Sequence, residues 1–213
     1  MSDELRTRNR ILNKARDHFF RHGFTKVTLD EIVQEMGVSK KTIYKFFPSK
    51  TEILRELLNL KLQEVEDGLQ RIVQERGRDF VEKLQQIYTF VALHLSEFGQ
   101  SFIRDLERNA PYIWKEVEER RNRTVLATFG SVFNEGIRKG AIKRKLNPQL
   151  LLLIHTTLIQ RIMNPETLSQ LPMTARQTLN TIREVIFEGI LTDKARTQYH
   201  AGHSKPNSRS LSR

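Results

Sequence analysis

The sequence contains no cysteine, which excludes disulfide bonds, thiolate metal sites and cysteine nucleophiles and fits a reducing compartment. It also has no stretch with the pattern of a signal peptide. The longest apolar run, from Leu150 to Ile154, is far shorter than the ~20 residues of a membrane-spanning helix. We therefore expect a soluble, cytoplasmic protein with no membrane partner.

Motifs of enzyme active sites are missing as well. There is no G-x-S-x-G, no phosphate-cradling glycine loop and no H-E-x-x-H, so we expect no enzyme, no catalytic residue and no cofactor. His18 and His22 have the i, i+4 spacing of metal ligands, but no third ligand accompanies them, and we predict no metal site.

Positive charge is concentrated at the two ends of the chain. The formal net charge is +11, of which residues 1 to 50 carry +5, residues 51 to 193 carry +1 and residues 194 to 213 carry +5. Such an asymmetry indicates that one end of the protein binds a polyanion.

Residues Thr28 to Lys50 have the pattern of a helix-turn-helix. Thr28 and Glu31 form a capping box at the start of the first helix, and Gly37 favours the left-handed conformation that ends it. Ser39 then caps a second helix, and Ser49 with Glu52 predicts a capping box at the start of a third.

The second helix is the candidate for DNA recognition. Ile43 and Phe47 lie one turn apart on its core side, so the remaining side chains face outward. Lysines near a helix N-terminus suit phosphate oxygens and guanine edges, and the hydroxyls of Thr42 and Tyr44 can donate to phosphate. The alternative is a solvated basic face that packs two aromatic side chains into a small bundle.

The stretch ILNKARDHFFRHGFTKVTLDEIVQEMGVSKKTIYKFFPSKTEIL, from Ile11 to Leu54, resembles the N-terminal domain of the TetR/AcrR family of bacterial regulators. The resemblance implies a three-helix domain that binds DNA. It also implies that the family's DNA-contacting positions are occupied here by Thr28, Lys40, Lys41, Thr42, Tyr44 and Lys50. Phe46 departs from the pattern, because some members carry a polar contact residue there.

The rest of the chain is also predicted to be helical, which gives an all-α fold class. A long helix from Ser49 to about residue 76 would connect a helix-turn-helix DNA-binding domain, residues 1–50, to a helical ligand-binding and dimerisation domain, residues 51–197. Residues 198–213 contain little that can be buried, so we expect a disordered basic tail.

Two apolar helices are candidates for a dimer interface. One runs from Leu150 to Met163, and the other carries the stripe Leu179, Ile182, Val185, Ile186, Gly189 and Ile190. Pairing of both helices with their symmetry mates would form a four-helix bundle. An ordinary intrachain core is the alternative for both.

The resemblance further implies a cavity in the second domain for a small-molecule effector. The candidate ligand-binding residues are Phe90, His94, Phe98, Trp114, Phe129 and His155. For each of them, a satisfied core or surface position is the alternative. The near-neutral charge of this domain favours an apolar or uncharged effector.

Together, these patterns and the family resemblance predict a transcriptional regulator, a repressor that binds a palindromic DNA operator as a homodimer and is released by a small molecule. A second hypothesis is a DNA-binding protein of the same fold that has no ligand and is controlled by assembly or a protein partner. A third hypothesis is an enzyme, which would need a buried cluster of carboxylates or histidines, and the sequence contains no pattern that indicates one.

Overall fold

The computed structural model describes residues 3–75, 77–98 and 100–203, and this part of the chain is almost entirely helical. Its helices are α1 (Asp3–His22), α2 (Leu29–Met36), α3 (Lys40–Phe46), α4 (Lys50–Gln74), α5 (Phe80–Ser96), α6 (Gln100–Asn109), α7 (Pro111–Arg138), α8 (Pro148–Ile162), α9 (Pro165–Gln170), α10 (Ala175–Ile190) and α11 (Asp193–His203). The described residues form no strand; Ile142 and Leu191 make an isolated bridge. The predicted all-α class is confirmed.

Local capping explains where most helices begin. The Thr28 and Thr174 hydroxyls accept the N–H groups of Glu31 and Gln177, and both capping boxes are complete. The predicted box at Ser49 forms only in part. Its hydroxyl accepts the N–H of Glu52 at 3.1 Å, but the carboxylate of Glu52 accepts a hydrogen bond from Arg55 instead.

Two hydrophobic clusters organise the molecule. The first joins α1, α2 and α3 to the beginning of α4, through Ile53 and Leu57, and to α6, through Phe102 and Leu106. The second fills the space between the rest of α4 and α5, α7, α8 and α10. Residues beyond the predicted boundary at residue 50 thus contribute to the core of the helix-turn-helix region; the boundary itself stays a prediction.

Helix α4 runs through both clusters. Its 25 residues span about 38 Å at 1.5 Å per residue. It ends at Gln74, close to the predicted end; residue 76 lies outside the described residues. The connection between the two parts of the protein is therefore a continuous helix.

The C-terminal helix α11 departs from the predicted tail. The chain is helical through His203, whereas we expected disorder from Gln198. The Thr192 hydroxyl accepts the N–H of Ala195 at 3.4 Å, and Ala195 is buried. A single buried alanine is too weak a sequence signal to predict this helix. Residues 204–213 of the predicted tail lie outside the described residues.

Candidate nucleic-acid interface and effector cavities

The turn between α2 and α3 is held by local interactions. Gly37 has a φ of +64°, in the left-handed region that other residues rarely adopt. The N–H of Val38 donates to the carbonyl of Val33 at 3.2 Å, and Ser39 caps α3 by accepting the N–H of Thr42 at 3.1 Å. These contacts fix the direction in which α3 leaves α2.

Helix α3 presents one face to the core and the other to solvent. Ile43 and the following Phe47 are buried, as predicted. Lys41 and Tyr44 are exposed on the outer face, and 51% of the Tyr44 surface is accessible. The arrangement displays a basic side chain and an aromatic hydroxyl on a short helix anchored by two apolar side chains.

Helix α6 is hydrogen-bonded through Asp105 to the junction between α1 and α2, residues 23–28, and we call this contact the clasp. The Asp105 carboxylate accepts hydrogen bonds from the backbone N–H of Thr25 at 2.6 Å, from the Thr25 hydroxyl, and from the amide of Asn109 at 2.7 Å. Burial raises the pKa of Asp105, but the hydrogen bonds from Thr25 and Asn109 outweigh burial and lower it overall. Gly23 has a φ of +93°, and an added Cβ there would lie 3.0 Å from the same carboxylate.

Aromatic packing reinforces this clasp. The Phe20 ring of α1 lies 4.7 Å from the ring of Phe98 and 5.0 Å from that of Phe102. Phe98 and Phe102 also stack on each other, with their ring centres 5.7 Å apart. Phe98, which precedes α6, and Phe102 of α6 therefore pack together against α1 of the DNA-binding region.

Two apolar cavities lie between the helices, one within the second cluster and one where the two clusters meet. The body cavity, about 110 Å³, is lined by residues of α4, α5, α7, α8 and α10, among them Tyr88, Val125, Phe129 and Ile159. The junction cavity, about 160 Å³, lies closer to α6 and is lined by Phe98, Phe102, Leu106 and Trp114, among others. Their linings share Leu62, Val65, Val91, Leu95, Arg121 and Met163.

Comparisons with known proteins agree with this architecture. Residues 11–57 match the family model of bacterial regulatory proteins of the tetR family. The HTH-type transcriptional regulator YhgD of Bacillus subtilis (strain 168) is 29% identical over 136 residues, which are 62% of this chain and 70% of that protein. A solved TetR-family transcriptional regulator from Marinobacter aquaeolei VT8 is 21% identical, with a TM-score of 0.73 over 97% of this chain and 100% of that one. The chain belongs to the TetR family.

As a TetR-family protein, it is a DNA-binding transcriptional regulator and not an enzyme. A solved gamma-butyrolactone receptor has the same fold, with 16% identity and a TM-score of 0.59 over 93% of this chain and 94% of that one. Regulators of the family bind operators as dimers and bind small-molecule effectors. No helix in the described part of this chain is long and apolar enough to cross a membrane.

The predicted DNA-binding residues of this TetR-family regulator fall into two groups. Lys41 and Tyr44 are exposed, and Thr42 is half-buried with its hydroxyl 3.0 Å from that of Ser39. The other three, Thr28, Lys40 and Lys50, already have intramolecular partners.

Those partners differ in kind. The Thr28 hydroxyl accepts the N–H of Glu31 in the capping box of α2. The Lys40 ammonium lies 2.8 Å from the Asp30 carboxylate, and the hydrogen bond between them raises the pKa of the lysine. The Lys50 ammonium lies 4.5 Å from the centre of the Phe24 ring, and burial lowers its pKa. Sequence reasoning did not detect these contacts, because the partners of Lys40 and Lys50 are distant in the chain.

One arginine near the N-terminus also has partners within the chain. Arg8 pairs with Glu56 of α4, and its guanidinium lies 5.1 Å from the centre of the Phe47 ring. It therefore ties α1 to α4. His18, one of the two closely spaced histidines, lies 3.0 Å from Glu35.

The predicted ligand-binding residues do not form a single site. His94, Phe98 and Trp114 line the junction cavity, and Phe129 lines the body cavity. Phe90 instead lies in a surface groove against Gly68, where an added Cβ would meet the ring at 2.1 Å.

The two histidines of this set have protein partners. His94 Nδ1 lies 2.7 Å from the Lys61 ammonium, and Lys61 also pairs with Glu97 at 2.6 Å. His155 is fully buried behind Phe129, with Nε2 2.7 Å from the Tyr88 hydroxyl. Burial lowers the pKa of His155 to about 3, so this ring is neutral at pH 7.

The predicted dimer helices show different faces. On α8, Leu150, Leu153 and Ile154 are exposed and form one stripe. On α10, most of the predicted stripe belongs to the intrachain core: Leu179, Ile182, Ile186 and Ile190 are buried, whereas Val185 and Gly189 are exposed. The pattern of apolar residues alone did not distinguish the inner from the outer face of α10.

Two residues with a place in the site were missed in the sequence. Asp105 holds α6 to the α1–α2 junction, and Arg121 lines both cavities. Neither belongs to a local motif. Each acquires its role only through contacts between distant parts of the chain, so a single sequence carries no signal for it.

Proposed function

We propose that this protein is a homodimeric repressor that binds a palindromic operator and is released by a small-molecule effector. One observation carries the proposal. Phe102 and Leu106 of α6 line the junction cavity and are also part of the hydrophobic core of the DNA-binding region. A molecule that enters the cavity therefore contacts side chains that support α1 and α2.

DNA recognition is assigned to α3. Lys41 and Tyr44, with Thr42 beside them, would contact the major groove and its phosphates first, because Lys41 and Tyr44 are already exposed. Lys40 would exchange Asp30 for a phosphate, and Lys50 and Thr28 would contact the backbone at the start of their helices. Such an exchange costs little free energy, since the ion pair between Lys40 and Asp30 is at the surface.

Dimerisation is assigned to the outer faces of α8 and α10. Leu150, Leu153, Ile154 and Val185 are each between 47% and 67% exposed, which is unusual for four large apolar side chains on neighbouring helices. A second copy of the chain related by a two-fold axis would cover them. Two α3 helices would then face successive major grooves, about 34–36 Å apart or at a related separation.

Effector binding is assigned to the two cavities. Their linings are largely apolar, which suits the apolar or uncharged molecule expected from the near-neutral body. If one separation of the two α3 helices fits DNA and the effector binds better to another, the effector shifts the population away from DNA. We expect this regulation to take place in the bacterial cytoplasm, where the operator is.

Selection of DNA from random pools by the purified protein tests the proposal. A palindrome with a fixed half-site spacing, bound by two copies of the chain in sedimentation, is the expected result. Selection of an asymmetric site bound by a monomer would reject the dimeric arrangement.

Lys50→Ala should weaken binding to all sequences and reduce the salt slope by about one unit, as removal of one phosphate contact does. Loss confined to one base position would instead indicate that Lys50 reads a base.

A further inference from the structure

Arg121 is placed in an unusual environment on α7. Its side chain lines both the body cavity and the junction cavity, among side chains that are otherwise mostly aliphatic or aromatic. The guanidinium carbon lies 6.0 Å from the centre of the Trp114 ring. An arginine keeps its charge at any physiological pH, so a full positive charge is present between the two cavities.

The hydrogen bonds of this guanidinium are incomplete. Nη1 donates to the carbonyl of Met163 at 3.2 Å, at the C-terminal end of α8. Nε and Nη2 are both shielded from solvent, and neither has a hydrogen-bond partner among the described residues. The Glu118 carboxylate lies 3.7 Å from Nη2, which is too far for a hydrogen bond. Burial lowers the pKa of Arg121, while the charge of Glu118 acts in the opposite direction.

Lys61, the other cation that lines the junction cavity, provides the comparison. Its ammonium lies 2.6 Å from Glu97, 3.1 Å from Glu64 and 2.7 Å from His94, so its charge is compensated within the protein. Arg121 differs because it retains two N–H-bearing atoms that a bound acceptor could use. Buried donors are normally satisfied, and an unsatisfied pair beside a cavity points to a ligand that supplies the acceptors.

The cavities suggest the shape of that ligand. An apolar cavity of about 150 Å³ holds one benzene-sized group. The body cavity and the junction cavity are each of about that size and meet at the shared residues around Arg121. A medium-length alkyl chain or a fused aromatic ring system would fill them.

We propose that the effector is an amphiphilic organic anion whose acidic group binds the Arg121 guanidinium and whose apolar part occupies the body and junction cavities. This inference rests on the effector-binding role proposed above and replaces the uncharged effector expected there with a singly acidic one. A carboxylate matches the guanidinium because both are planar and can form paired hydrogen bonds.

The test compares acids with their uncharged counterparts. Octanoate, decanoate and 2-naphthoate are titrated into the full chain at pH 7 by calorimetry, each beside its primary amide. We expect at least one acid to bind about ten-fold or more tightly than its amide, since hydrogen bonds to a charged group are worth about that factor. The same acid, and not its amide, should weaken binding to the selected operator.

Variants of Arg121 separate ligand binding from a structural role. Arg121→Met should bind acid and amide equally, and Arg121→Lys should recover part of the preference for the acid. Arg123→Met, an exposed arginine on the same helix, is the matched control and should leave the preference unchanged. A purely structural arginine would change the melting temperature without changing the ratio of the acid and amide affinities.

The possible failures are distinguishable. Equal affinity of the wild-type protein for acid and amide would overturn the anionic effector and leave the effector-binding function standing. Retention of the acid preference in Arg121→Met would also overturn the inference, because the acidic group would then bind elsewhere. If no acid and no amide binds or alters operator affinity, the effector-binding role and this inference both fall.

Discussion

The clasp between Asp105 and the α1–α2 junction allows a quantitative prediction. Asp105→Ala removes a carboxylate that accepts hydrogen bonds from Thr25 and Asn109. Hydrogen bonds to a charged acceptor contribute about 1.5–3 kcal/mol when buried and less when partly exposed, as this group is. Alanine also returns about 0.5 kcal/mol of helix propensity. We expect a net loss of about 2 kcal/mol in the free energy of unfolding.

Urea unfolding at pH 7 measures this loss. Asp17→Ala, at an exposed aspartate in α1, is the matched control, since it gains the same helix propensity without breaking such a clasp. A double-mutant cycle with Thr25→Val should give a coupling of about 1 kcal/mol, the share of the hydroxyl. If Asp105→Ala and Asp17→Ala unfold at the same urea concentration, α6 does not stabilise the DNA-binding region through this carboxylate.

The pKa of Asp105 sets the sign of the pH dependence of this effect. Because the folded protein holds this pKa below its usual value, the carboxylate contributes stability above the unfolded pKa. The difference between wild type and Asp105→Ala should stay constant from neutral pH to about pH 4. It should shrink as the pH falls through the folded pKa.

Three further substitutions test packing and burial. Gly68→Ala should destabilise the protein by about 1–2 kcal/mol, because the added Cβ would lie 2.1 Å from the Phe90 ring. Gly130→Ala is the control, since its Cβ would make only an ordinary contact with Leu152 at 3.6 Å. It should gain up to about 1 kcal/mol of helix propensity in the same unfolding assay. His155 has a pKa of about 3 in the folded protein and about 6.5 when unfolded, so the unfolded state binds more protons as the pH falls between these values. Between pH 7 and pH 5 the wild type should therefore lose about 2 kcal/mol more stability than His155→Leu, and equal losses would mean that His155 is hydrated.

The local part of the fold could be predicted from the sequence. Thr28, Gly37 and Ser39 determine the helix-turn-helix through contacts within four residues, so a single sequence is sufficient to recognise them. The prediction was less successful for α10, where Leu179 and Ile182 face the chain's own core. An apolar stripe indicates that a helix face is buried but does not indicate what covers it.

Contacts between distant segments account for the rest. Lys50 was predicted to contact DNA, and its ammonium lies over the Phe24 ring because α4 begins beside the α1–α2 junction. The sequence around Arg121 is that of an ordinary charged helix, and only the structure shows that Arg121 lines both cavities. Both examples involve charged side chains, whose partners depend on tertiary structure rather than on local spacing.

The affinity for the selected operator shows whether the exposed face of α3 binds DNA. Lys41→Ala and Tyr44→Ala should each reduce affinity at least about ten-fold in a gel-shift assay, since a lost base or phosphate contact typically costs 1–3 kcal/mol. Helicity and dimerisation should not change, and Lys115→Ala, at an exposed lysine on α7, should bind as the wild type does. Unchanged affinity in both α3 variants would mean that this face of α3 does not bind the operator.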